Sequence, residues 1–233
     1  MVRVAINGFG RIGRRVFRLL LSHPTIEVVA INDLADTKTL AHLLKYDSIH
    51  GRLKRSVSSN DTHLIFDGTA IPLLNKNHPR DLNWIPYDVD IVIEASGKFK
   101  TKNDLIHHIN NGASKVILSV PPTDDSLKTI VLGVNDDLLH NDDLIISNAS
   151  CTTNNAAPML SIINALCGIN QAYITTVHSY TTDQSLHDQP HKDLRRARAA
   201  GQSIVPTTTG AAKALTKIFP ELANCIGGCG IRV

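Results

Sequence analysis

The segment INGFGRIGR, residues 6–14, constrains the fold more than any other stretch. It sets Gly8-x-Gly10-x-x-Gly13 directly after the β-branched run VRVAI (2–6) and at the opening of a segment with helical spacing. There Ile12, Val16, Leu19 and Leu20 recur until Pro24 stops the pattern. Glycine is needed for separate physical reasons: a tight turn, close approach of backbone to a pyrophosphate, and close contact between helix and strand. The start of the helix then offers unpaired N–H groups and a partial positive charge to that anion. By itself the motif is also that of an ordinary glycine turn, so its context matters. A second strand, EVVAIND (27–33), ends in Asp33, 20 residues beyond Gly13, where an acid takes the ribose hydroxyls. An acid there repels a 2′-phosphate and favours NAD over NADP; the plainer alternative is a turn residue or helix cap before Leu34.

Beyond this motif, strands and helices alternate. KTLAHLLKY (38–46) reads as a helix and HLIFDGTAIPLL (63–74) as a hairpin turning at Asp67-Gly68. VDIVIEA (89–95), KVILSV (115–120), KTIVLGV (128–134) and DLIISN (143–148) read as further strands, with a helix near 102–110. The expectation is an α/β fold: a Rossmann-type, doubly wound, mostly parallel sheet covered on both faces. From Cys151 the pattern changes to a helix reaching about Leu166, a strand AYITTVHSY (172–180), a long polar loop to about Ser203, a helix near 209–219 and a strand-like GIRV. The expected division is therefore a dinucleotide-binding domain over 1–148 and an α+β catalytic domain from 149 to 233.

Composition excludes several classes. With 42% hydrophobic and 19% charged residues the 233-residue chain has the balance of a soluble globular protein. Lys and Arg exceed Asp and Glu only as 24 to 21, so neither nucleic acid nor an acidic membrane surface is needed to explain the charge. The longest apolar runs fall far short of the ~20 residues of a membrane helix. MVRVAINGFG enters a strand directly and lacks the features of a secretory signal, so the cytoplasm is expected. The four cysteines, Cys151, Cys167, Cys225 and Cys229, are scattered, unlike a disulfide framework. No paired His spacing accompanies them, so no metal site is expected; Cys225 falls at a helix end, Cys229 in a glycine-rich turn, and both, with Cys167, read as packing residues.

SNASCTTNN (147–155) places Cys151 at or just before the start of the helix that carries Met159, Ile162, Ile163 and Leu166 on one side. A helix N-terminus favours thiolate over thiol, which makes a nucleophile; a small buried side chain is the alternative. A nucleophile needs a base. Among eleven histidines, His178 follows the apolar alternation of its strand and ends it, whereas His107, His108, His140, His187 and His191 sit in polar contexts and read as solvated. The loop HDQPHKDLRRARAAGQS reads mostly as a solvated charged face. One of its arginines turned inward would grip a phosphate, helped by Thr181 or by PTTTG (206–210), where Thr209 and Gly210 open a helix. Arg232, alone in an apolar strand, is a second anion-binding candidate. A thiol, a base, NAD and two anion sites suggest phosphate-dependent oxidation of an aldehyde.

With INGFGRIGR, NASCTTN, HSYT-x-D, PHKDLRRARAA and PTTTGAAKA on one chain, the sequence resembles glyceraldehyde-3-phosphate dehydrogenases along its whole length, and their close relatives the erythrose-4-phosphate dehydrogenases. The resemblance implies Cys151 as nucleophile and His178 as base. It puts Arg11 and Ile12 at the dinucleotide, Asp33 at the adenosine ribose and Ser119 on the nicotinamide side. Ser150, Thr152, Thr209 and Gly210 would serve the attacking inorganic phosphate. Thr181 and Arg232 would hold the phosphate of glyceraldehyde 3-phosphate, with Arg196, or failing it Arg195, between the two anion sites. The product would be 1,3-bisphosphoglycerate. The loop after Thr181 would cross an interface in a homotetramer.

Asn77 stands where the family usually has an arginine near the adenine, Ser96 where it has threonine, and Gln189 before Pro190 where NAD-specific members commonly have leucine. These changes suggest altered cofactor affinity. Family members continue beyond the position matching Val233, so the catalytic domain is expected to be truncated, its final strand unpaired with an open edge. An inactive dinucleotide-binding module is the reading from another class. Erythrose 4-phosphate is the rival substrate, although Thr181 and the TTTG run favour the shorter sugar phosphate.

Overall fold

The structure is a computed structural model that describes residues 1–233. In chain order its elements are β1 (Val2–Asn7), α1 (Arg11–Leu20), β2 (Ile26–Asn32), α2 (Thr37–Lys45), β3 (Val57–Ser59), β4 (His63–Phe66), β5 (Thr69–Leu74), β6 (Ile91–Glu94), α3 (Lys102–Asn110), β7 (Lys115–Leu118), β8 (Lys128–Thr129), β9 (Ile145–Ser147), α4 (Cys151–Cys167), β10 (Ala172–His178), β11 (Val205–Thr207), α5 (Ala211–Ile218) and β12 (Ile226–Arg232). They fall into two compact units, Met1–Thr129 with Leu139–Asn148, and Ile130–Leu138 with Ala149–Val233.

The first unit is built on a nine-stranded sheet of order β3-β4-β5-β2-β1-β6-β7-β9-β8. From β5 to β8 the pairs are parallel, while β3, β4 and β5 form an antiparallel meander. Strand alternation divides its core in two. Val4, Ile6 and Ile31 pack with Phe17 of α1 and with Leu40 and Leu44 of α2. Ala5, Ala30 and Val92 face the other way, toward Leu105 of α3 and the buried Trp84. The turn at Asp67 and Gly68 takes positive φ at both residues, as a two-residue hairpin requires.

Two local expectations fail here. Ile12 and Leu19 are half exposed, and α1 instead buries Gly13 and Phe17. A Cβ at residue 13 would lie 2.1 Å from the Gly8 carbonyl oxygen, so glycine brings that face of the helix against the turn. KTIVLGV forms a strand only at Lys128–Thr129; Val131 is buried in the core of the second unit rather than in a ladder.

The second unit has a small sheet of order β10-β12-β11 beside α4 and α5. Its core joins Ala156, Ala157 and Leu160 of α4 to Leu215 and Ile218 of α5. The final strand, expected to be unpaired, is instead the central one. β12 runs parallel to β10 from Ala172↔Ile226 to His178↔Arg232, and antiparallel to β11 from Val205↔Arg232 to Thr207↔Gly230. Cys229 therefore lies in a strand and not in a turn. Glycines in β12 misled the reading because glycine weakens strands, yet here they admit neighbours: a Cβ at 227 would meet the Tyr173 ring at 3.0 Å. β11 was hidden by Pro206, which an edge strand tolerates. Cys167, read as a packing residue, is exposed at the end of α4. The face of α4 carrying Met159, Ile162, Ile163 and Leu166 is exposed as well.

Candidate active site

In the first unit a cleft of about 260 Å³ opens at the C-terminal ends of β1, β2 and β6, where strand order reverses around β1. Gly8, Gly10 and Asp33 line it with Asn7, Asn32 and Asn77, among others. Gly8 takes φ +92°, and a Cβ on it would lie 2.4 Å from the Ser96 nitrogen. A Cβ on Gly10, the residue before α1, would meet no atom within 4 Å, so the helix start is open. Asp33 accepts from the Phe9 N–H at 2.7 Å and from the Ala35 N–H at 2.9 Å, tying the glycine turn to the end of β2. The cap of α2 is Asp36, not Asp33. Arg11 and Ile12 are exposed in the first turn of α1, and Gly13 is buried behind it. Ser119 follows β7, its hydroxyl oxygen buried without a hydrogen-bond partner.

Beneath this cleft runs a polar network that the sequence did not reveal. Asn7 is in register with Asn32 on one side and Glu94 on the other, so the three side chains share one face of the sheet. Asn32 donates to the Asn7 side-chain oxygen at 2.7 Å and Asn7 donates to Glu94. Glu94 also accepts from the Ser96 N–H and hydroxyl and from His108 Nε2 at 3.2 Å. His108, expected to be solvated, is fully buried in α3. The Trp84 indole, which can only donate, gives its N–H to His108 Nδ1 at 3.1 Å. The ring proton therefore sits on Nε2 and points at the carboxylate. Ser96 keeps its hydroxyl on Glu94, and Asn77 accepts from the Lys98 ammonium at 3.1 Å.

In the second unit Cys151 is the first residue of α4, exposed, with Sγ 3.3 Å from Nε2 of His178. Two residues before it Ala149 takes φ +58°, a left-handed conformation that costs a non-glycine residue and turns the chain sharply toward the helix. Ser150 caps the helix, accepting from the Thr153 N–H at 3.0 Å. His178 ends β10 and is half-buried. Both residues line a pocket of about 310 Å³ with Thr152, Asn155, Met159 and Thr175. On its far side the His178 ring meets Arg232 Nη1 and the Ser179 carbonyl, each 2.7 Å from Nδ1.

The two neighbouring arginines, inseparable by spacing, are held differently. Arg195 is exposed and forks onto Asp193, which raises its guanidinium above the ordinary value. Arg196 is half-buried, donates to Thr207 Oγ1 at 3.0 Å and pairs with Asp183. Burial lowers its pKa, and the positive charge of Arg232 lowers it further, so these two cations are neighbours. Thr181 opens the turn that follows, where its N–H meets Gln184. Thr209 accepts from the Ala211 N–H at the start of α5, and Gly210 is the residue before that helix.

Residues 2–102 match the family model "Glyceraldehyde 3-phosphate dehydrogenase, NAD binding domain", and residues 150–233 match its C-terminal domain. The chain belongs to the glyceraldehyde-3-phosphate dehydrogenase family. It is 52% identical over 236 residues to the glyceraldehyde-3-phosphate dehydrogenase of Geobacillus stearothermophilus, with all of this chain and 69% of that protein aligned. Glyceraldehyde-3-phosphate dehydrogenase 2 of Bacillus subtilis is 52% identical over 233 residues, covering all of this chain and 68% of the relative. The protein of that name in Streptomyces coelicolor is 52% identical over 237 residues, again with the whole chain and 69% of the relative aligned.

The cleft of the first unit fits the family's dinucleotide. Its glycine turn has no room for side chains at Gly8 and Gly13, the helix start is open at Gly10, and an acid follows β2.

Proposed function

We propose that this family member oxidises glyceraldehyde 3-phosphate, with NAD and inorganic phosphate, to 1,3-bisphosphoglycerate through a thioester on Cys151. The observation that carries the reading is the 3.3 Å approach of Cys151 Sγ to His178 Nε2 at the start of α4. A sulfur there stands at the open start of a helix with a ring nitrogen within hydrogen-bond reach, the pairing of nucleophile and base that attack on a carbonyl carbon needs. Sγ adds to the aldehyde carbon, and His178 Nε2 takes the hydroxyl proton of the adduct. The first-turn N–H groups of α4 face the oxygen that carries negative charge. Bound NAD supplies the acceptor for the hydride that converts the adduct to thioester. Gly8, Gly10, Arg11, Ile12, Gly13 and Asp33 would hold its pyrophosphate and ribose, and Ser119 its nicotinamide side. An oxygen of inorganic phosphate, bound by Ser150, Thr152, Thr209 and Gly210, then attacks the thioester carbon and releases Sγ. Thr181 and Arg232 hold the phosphate of the aldehyde, with Arg196 between the two anions.

We also place the protein in the cytoplasm as a homotetramer. No helix is long and apolar enough to cross a membrane. Leu186 and Leu194 in the loop after Thr181, with Ile204 at its end, are largely exposed, as suits a surface that meets another copy. Incubation with aldehyde, NAD and phosphate should produce NADH, with glyceraldehyde 3-phosphate preferred over erythrose 4-phosphate by kcat/KM. Cys151→Ser should lose on the order of a thousandfold or more in turnover while binding NAD as before. A folded chain that yields no NADH would refute the assignment.

A further inference from the structure

Lys76 and Asn77, after β5, line one side of the dinucleotide cleft, and Ala95 and Ser96, after β6, line the other. Between them in the sheet lie β2 and β1, and the side chains of Asn32, Asn7 and Glu94 cross that gap in one row of hydrogen bonds. The row has a fixed direction. A backbone N–H can only donate, so the Lys76 N–H, 2.9 Å from Asn32 Oδ1, decides which end of that amide is oxygen. Asn32 Nδ2 then donates to the Lys76 carbonyl at 2.9 Å and to Asn7 Oδ1 at 2.7 Å, which turns Asn7 Nδ2 toward Glu94. From the opposite flank Trp84 donates to His108, and His108 and Ser96 donate to the same carboxylate. All of these donors run toward Glu94, whose side chain is fully buried.

We propose that Glu94 is a positioning residue for NAD. As the common acceptor of this network it fixes the orientation of the Asn7 and Asn32 amides, and through them it holds Lys76 and Asn77 against the end of β2 as a wall of the cleft. Glu94 does not itself line the cleft and need not touch the dinucleotide. Its contribution is to accept from every side at once, which a carboxylate does and no amide can.

Glutamine at this position would keep the shape and replace one acceptor oxygen by a donor. Its NH2 must lie either on the Ser96 side, where it opposes the Ser96 N–H, or on the side of Asn7 and His108. In the second case Asn7 can meet it only by turning its own amide over, so that the NH2 groups of Asn7 and Asn32 face each other. Should Asn32 turn as well, its NH2 meets the Lys76 N–H and its oxygen the Lys76 carbonyl, and both bonds to that residue are lost. Each arrangement loosens one wall of the cleft, and the damage from the second appears across β1 and β2 from the substitution.

The test titrates NAD calorimetrically into the wild type, Glu94→Gln and the double variant Asn7→Asp with Glu94→Gln, at a temperature where circular dichroism shows each to be folded. Glu94→Gln should bind NAD about tenfold more weakly, because one wall of the cleft loses buried hydrogen bonds. The double variant keeps the total charge and gives the new amide a carboxylate to donate to at position 7, which also accepts from Asn32. It should recover most of the lost affinity. His108 still faces an NH2 there, so Trp84 emission, altered in Glu94→Gln, should stay altered while binding returns. Emission that returns together with binding overturns the row of amides as the route and puts the effect in the His108 branch. A residue that serves stability alone would leave the affinity of folded variants unchanged, and that result in Glu94→Gln overturns the proposal. Equal weakness in the single and double variants overturns it too. Asn32→Ala is an independent check, since it leaves Glu94 its donors and cuts the row before Lys76. It should also weaken NAD binding about tenfold, and wild-type affinity there refutes the proposal even if Glu94→Gln does not fold.

Discussion

At the residue scale, the parts legible in the sequence are those whose reason is local. Gly8 adopts a backbone angle that side chains avoid and has the Ser96 backbone where a Cβ would stand. Gly8→Ala should therefore lower stability by about 2–4 kcal/mol, through strain and displacement of the Ser96 loop, and weaken NAD binding with it. Thermal unfolding and calorimetric titration with NAD check both effects; an alanine variant with unchanged melting and affinity would remove the steric argument. Cys151 was legible for the same kind of reason, since hydroxyl residues before an apolar periodic run announce a helix start. His108 was not. A histidine in the polar stretch LIHHIN gives no sign that one ring of its pair is buried against a carboxylate, because that depends on which face of α3 meets the sheet.

At the element scale, the start of α4 sets the position of the nucleophile. Ser150→Ala removes the acceptor for the Thr153 N–H and should cost about 1 kcal/mol, with slower alkylation of Cys151 as the first turn frays. The slower alkylation separates this cap from one that matters only to stability. The network across β2, β1 and β6 is the second case. Glu94→Ala would strand the donors of Asn7, Ser96 and His108 in the interior, a loss of about 3 kcal/mol or more, whereas Glu94→Gln keeps the volume and part of the bonding and should lie between. Denaturant midpoints rank the three proteins. Trp84, the single tryptophan of the chain, reports the same change through its emission, because its indole N–H ends the network on His108.

At the scale of the whole molecule, carboxylates bound by donors set the response to acid. Asp143 is held below its ordinary value first by the Lys128 ammonium and then by the His140 N–H. Asp124 is lowered by the Ser126 hydroxyl and the Lys102 N–H. A carboxylate whose folded-state value is depressed contributes fully above its unfolded value and loses that contribution as pH falls through the folded one. Stability should therefore hold steady near neutrality and drop below about pH 4, and Asp143→Asn should flatten part of that drop. Urea midpoints across this range measure it, and equal acid slopes for both proteins would exclude Asp143 as a contributor.

The residues alone determined the glycine turn, the alternation of strands and helices in the first unit, and the cysteine at a helix start, because backbone strain, periodicity and capping act over a few positions. Tertiary structure decided which distant groups meet. Cys151 and His178 are brought together across 27 positions because the start of α4 lies against the end of β10, and His178 and Arg232 across 54 because β12 pairs with β10 in a register that ends with those two residues side by side. Glycine-rich residues hid the first half of that strand, and pairing on both sides, with glycine making room for its neighbours, made it the centre of a sheet.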